Sequence, residues 1–200
     1  MPTLPGVIRR LAIRCLLCVM AIGGSSASFA ATPPHKKVYL LRGLTNVLSP
    51  GIDQLADELP KRGIDSTVAN HAFSESLAND AIQECRSGRI SSIVLVGHSL
   101  GASAAVSMAE QLQKAGLHAA LIVTLDPVVK IVVPNNVRVL KNFYLSSGVG
   151  TTVERGGHFR GMLQNVEMGS TDYGHVSLTT APSVQKQVMR DILAANSSCL

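Results

Sequence analysis

Short apolar runs alternate with segments of helical period along most of the chain. Val38-Tyr39-Leu40-Leu41 is the first run, and it ends at Arg42-Gly43-Leu44-Thr45. Ser49 then reads as a helix cap with Pro50 at the first helical position. Ile52, Leu55 and Leu59 give that helix one apolar face, and Gly63 stops it. Asp65 to Asn70 is the next predicted strand, and Ser74 to Cys85 the next helix. Ile93-Val94-Leu95-Val96 is apolar on both sides, as a central parallel strand requires. A helix follows from Ala102 to Lys114, with Gly116 at its C-terminal end. Ala119 to Leu125 and Val137 to Leu145 are further strands, Val149 to Gly161 is loop, and Leu163 to Met168 is a last short strand. A final helix starts near Pro182, with Val184, Val188 and Ile192 on one face. This alternation predicts an α/β fold: a doubly wound, mostly parallel sheet with helices on both faces.

Residues 1–30 stand outside that pattern. Arg9, Arg10 and Arg14 precede an apolar run from Cys15 to Ile22, and small residues follow up to Ala30. Charge, apolar core and a Ser28/Ala30 cleavage site spell a secretory signal peptide. The run is short for a membrane span, which needs ~20 apolar residues. The expected mature chain, residues 31–200, is a single domain, secreted or periplasmic, with no stable membrane span. Three of the 18 Lys and Arg belong to the leader, so 15 remain against 13 acids and the net charge falls from +5 to +2. No basic cluster is left to suggest a nucleic-acid partner. Cys85 and Cys199 are the only cysteines after residue 30. An oxidising compartment could join them. The histidines are scattered and no Cys pair has ligand spacing, so neither metal nor cofactor is expected.

Gly97-His98-Ser99-Leu100-Gly101 fits G-x-S-x-G between the clearest strand and a helix that opens with small residues. In that setting the serine occupies a tight turn, and the flanking glycines let strand and helix pack closely. A serine hydroxyl is a weak nucleophile and needs a base oriented by a third group. In a strand-turn-helix site of this kind the acid and then the histidine follow the serine. Asp126 sits at the end of the next strand, where parallel sheets form their ligand crevice; Glu154, Glu167 and Asp172 are rival acids. His175, just before the final helix, is favoured as base over His158 in its Gly-rich loop. His98 is expected to shape the pocket. The oxyanion donors are expected to be the backbone N–H of Leu100 and of Leu44 or Thr45, with Gly43 allowing close approach.

These residues resemble the α/β-hydrolase superfamily, in particular its compact, lidless lipase-, cutinase- and thioesterase-like members. The resemblance runs from Val38 to Ile192 and is strongest over Ile93 to Ala105. It implies a minimal α/β-hydrolase fold with Ser99, Asp126 and His175 as catalytic triad, acting on small-molecule or lipid esters or thioesters. It also implies that helix 74–85 and the last helix lie on opposite faces of the sheet, which opposes a Cys85–Cys199 bridge. Three departures are visible. Arg42-Gly43 replaces the usual His-Gly, the acid follows the very next strand, and there is no room for the first antiparallel strands or a cap domain. With 4% aromatic residues and no Trp, sugar-stacking platforms are not expected. Two other functions stay open: a binding protein that kept the fold without catalysis, and an N-terminally anchored lipase.

Overall fold

The computed structural model describes residues 35–44, 49–169 and 173–200, so the leader, Thr45 and Asp172 lie outside the described residues. The strands are β1 (Lys36–Arg42), β2 (Asp65–Asn70), β3 (Ser92–His98), β4 (Leu121–Leu125), β5 (Ile131–Val133), β6 (Val139–Tyr144), β7 (Val153–Arg155) and β8 (Met162–Glu167). The helices are α1 (Pro50–Glu58), α2 (Ser74–Arg86), α3 (Leu100–Lys114), α4 (Ser177–Thr180) and α5 (Pro182–Ala194). Six strands form one sheet in the order β2-β1-β3-β4-β6-β8, every pair parallel. All the connections therefore cross over, and all six strands end at the same edge of the sheet.

The period of two along each strand divides the core into two layers. Tyr39, Leu41, Ile93 and Leu95 face one layer, where they meet Ala78 and Ala81 of α2 and Ala105, Met108 and Leu112 of α3. Val38, Leu40, Val94 and Val96 face the other, with Ile52 and Leu55 of α1 and Val184, Val188 and Ile192 of α5. β3 is buried at all seven positions, which explains its unbroken apolar sequence.

Three details depart from the sequence reading. Residues 149–161 are not all loop: β7 lies there and pairs in parallel with β5 as a small second sheet. These strands are three residues each, too short to carry a readable period. A one-turn helix, α4, intervenes before α5. The Ser49 side chain does not cap α1; only its carbonyl accepts, from Ile52 N at 2.9 Å.

Cys85 and Cys199 form a disulfide, across a sequence separation of 114. Helices α2 and α5 do pack against opposite layers of the core. The residues after α5 resolve the conflict by running beneath the beginnings of the strands. Cys199 N–H donates to Ser91 O (2.8 Å) and His118 N–H donates to Cys199 O (2.9 Å). The tail is thus held between the start of β3 and the α3–β4 turn, with Cys199 buried.

Candidate active site

Among the described residues, two that are not glycine have positive φ: Ser99 at 58° and Asp126 at 46°. Such backbone is costly for residues with a Cβ and persists where the surroundings over-determine it. Here the constraint is the sheet itself. Ser99 N–H donates to Leu125 O (3.0 Å), and Asp126 N–H donates to Phe143 O (2.7 Å), so each ladder runs one residue past its strand before the chain turns. The ψ of Ser99 is −122°, and α3 begins at the next residue.

Close packing makes the flanking glycines obligatory. A Cβ on Gly97 would lie 2.0 Å from Gly101 O, and one on Gly101 would lie 2.1 Å from Leu41 O. Leu100 N–H is the first of α3, so it has no acceptor inside the helix. The Ser99 hydroxyl has no hydrogen-bond partner among the described residues, His175 included.

Asp126 is completely buried. Its Oδ1 accepts from Leu145 N–H (2.9 Å), and its Oδ2 lies 2.7 Å from His175 Nδ1. That contact places the His175 ring proton on Nδ1 and leaves Nε2 as the basic nitrogen. The site thus brings Asp126 and His175 together. His158 is exposed in the turn after β7, Glu154 pairs with Lys130 at 2.9 Å, and Glu167 accepts from Ser146.

His98 is buried, and its ring lies beside that of His175 with centroids 4.6 Å apart. Its Nδ1 accepts from the Ser49 hydroxyl (2.8 Å), and its Nε2–H donates to His175 O (3.0 Å). Burial, and then the neighbouring His175, push its pKa down to about 4, so the ring is neutral at pH 7. The Ser49 oxygen in turn accepts from Gly43 N–H (3.2 Å). The roles of Ser49, Gly150 and Leu145 N–H at this site had no sequence signal, because each acts through a contact that only tertiary structure creates. Gly150 packs so tightly that a Cβ there would sit 1.8 Å from Asp126 Oδ1.

Arg42, in place of the expected His, turns away to pair with Asp53 of α1 (2.8 Å from Nε). No group of three or more His, Cys, Asp or Glu among the described residues is arranged to hold a metal ion. Among the same residues no helix is long and apolar enough to cross a membrane.

The parallel sheet, helices on both faces and sharp strand-to-helix turn at Ser99 define an α/β-hydrolase-like fold. No protein-family model and no curated protein sequence matches the chain. Solved structures do resemble it. The RedJ thioesterase from the prodiginine biosynthetic pathway of Streptomyces coelicolor is 12% identical, with a TM-score of 0.51 over 82% of this chain and 91% of that one. The type II thioesterase BorB from the borrelidin biosynthetic cluster is 11% identical, with a TM-score of 0.49 over 81% and 94%. A protein of Xanthomonas campestris pv. campestris, described as a candidate hydrolase of the α/β superfamily, is 12% identical, with a TM-score of 0.45 over 78% and 98%.

Proposed function

We propose that the chain is a serine hydrolase that cleaves carboxylic esters or thioesters through an acyl-enzyme on Ser99. The observation that carries this reading is the coincidence of strained backbone and chemistry. The described non-glycine residues with positive φ are Ser99 and Asp126, and the buried carboxylate of Asp126 already orients His175. A binding protein has no use for a buried acid holding a half-exposed histidine in one tautomer. The likeness to a thioesterase fold agrees with this reading and leaves ester and thioester equally open.

In the proposed reaction, His175 Nε2 takes the Ser99 proton as Oγ attacks the carbonyl carbon. The tetrahedral oxyanion is met by the N–H groups of Leu100 and Leu44. Collapse breaks the C–O or C–S bond, and His175 returns the proton to the leaving group. Water then repeats the sequence on the acyl-enzyme and releases the acid. The Asp126 carboxylate holds the imidazole in place and stabilises the imidazolium.

We place this activity outside the cytoplasm, with the leader removed near Ala30. A buried disulfide suits an oxidising compartment. The test is a fluorophosphonate probe applied to the chain lacking residues 1–30, alongside turnover of p-nitrophenyl esters and acyl thioesters. Wild type should be labelled and Ser99→Ala should not. No labelling and no turnover in wild type would favour the non-catalytic binding protein.

A further inference from the structure

We propose that Asn70 and His71 are positioning residues of the oxyanion hole, because they fix the peptide between Gly43 and Leu44. The inference rests on the hydrolase reading above and adds two residues to it.

Gly43 is held on both of its backbone polar groups. Its N–H donates to Ser49 Oγ at 3.2 Å. Its carbonyl oxygen accepts from Asn70 Nδ2 at 3.1 Å and from His71 Nδ1 at 2.9 Å. The Asn70 side chain is itself oriented, since its Oδ1 accepts from Ala72 N–H at 3.0 Å. This peptide is trans, so the Leu44 N–H points opposite to the Gly43 carbonyl.

The sheet order turns that opposition into a function. β1 lies between β2 and β3. Arg42 is in register with Asn70 on the β2 side, and Leu41 with Gly97 on the β3 side. A carbonyl aimed at the end of β2 sends the next N–H toward the end of β3, where Ser99 stands. The approach there is close: a Cβ on Gly43 would be 3.0 Å from Ser99 Cβ.

The two donors matter because, among the described residues, little else holds this peptide. Leu44 is 71% exposed. Glycine crosses easily between backbone conformations. A flip of this peptide would present a carbonyl oxygen to the developing oxyanion instead of an N–H. Two hydrogen bonds to the carbonyl oppose the flip before substrate arrives, which is the preorganisation an oxyanion hole requires.

The test uses Asn70→Asp, which keeps the acceptor for Ala72 N–H and removes the donor, and His71→Phe. Full loss of an oxyanion donor costs about 10²–10³ in kcat. Each variant should lose ~10-fold in kcat, and the pair ~10², with KM nearly unchanged. Affinity for an alkyl boronic acid, whose adduct carries the tetrahedral anion, should fall by the same factor as kcat/KM. Affinity for the product carboxylate should not move. His71→Gln, which retains an N–H donor, should recover most of the loss. Unchanged kcat, or a lower kcat with boronate affinity intact, overturns the proposal. Failure of the hydrolase reading looks different: wild type itself would show neither fluorophosphonate labelling nor boronate binding.

Discussion

Asp126 Oδ2 lies 2.7 Å from His175 Nδ1, although the two residues are 49 positions apart and sit on different loops. Asp126 is brought to this point by the end of β4, and His175 by the turn that precedes α4. Replacing Asp126 with Asn keeps the shape but offers a donor or a weaker acceptor to Nδ1, which spoils the tautomer. Turnover by Asp126→Asn should fall by on the order of 10⁴, as in the serine-protease triad. His175→Ala should be inactive and His158→Ala should match wild type. Steady-state kinetics on one p-nitrophenyl ester decides this, and a live His175→Ala would remove His175 from the mechanism.

Gly150 belongs to no strand or helix, yet its Cα hydrogen points at the Asp126 carboxylate. Gly150→Ala would place a methyl group 1.8 Å from Oδ1, and the buried carboxylate has no free space to leave. The acid should be displaced from His175 or the loop pushed outward. We expect kcat to drop at least ~10-fold and stability to fall by ~1–3 kcal/mol, the usual cost of overpacking. Urea melts and kinetics on the same preparation measure both. Wild-type values for the two would show that this loop does not press on the acid.

His98 makes stability depend on pH in a defined window. Its pKa is pushed from 6.5 down to about 4, by burial first and by the His175 ring second, with the hydrogen bond to the His175 carbonyl and then Asp126 acting in the opposite sense. Between those pH values the unfolded chain binds a proton that the folded chain refuses. The contribution is therefore fully present above pH 6.5 and is lost as pH falls toward 4. The loss amounts to roughly 3 kcal/mol. In His98→Gln the amide can accept from Ser49 and donate to His175 O without titrating, so this slope should disappear. Denaturant melts at pH 4.5 and 7 compare the two proteins; equal slopes would mean that His98 takes up its proton in the fold as easily as outside it.

The Cys85–Cys199 bridge closes nearly the whole of the second half of the chain. The chain lacking residues 1–30 should show no titratable thiol when unfolded without reductant. Cys199→Ser should lower stability by ~2–5 kcal/mol, with the larger values reflecting the long loop. The bridge lies at the strand starts and the site at the strand ends, so activity at 25 °C should survive. Two free thiols per chain would contradict the bridge.

The sequence by itself determined the alternation of strands and helices, the parallel sheet and the place of Ser99. Those features rest on local rules: side-chain period, helix-breaking glycines and the Gly97–Gly101 spacing. The place of Asp126 beside His175 was also legible, because Asp126 stands at a strand end, where a parallel sheet opens. What tertiary structure alone decided is what touches these residues. Ser49 looked like a helix cap, and only folding placed its hydroxyl between Gly43 and His98. Asn70 read as the plain end of a strand, and His71 as one of the scattered histidines, until the order β2-β1-β3 set them beside the Gly43 carbonyl. The disulfide stayed open for the same reason, since its sulfurs meet through a tail that passes beneath the sheet. Local pattern specifies each element because its energetics involve near neighbours in the chain. Most of the contacts that tune the site join residues tens of positions apart, and no period in the sequence encodes them.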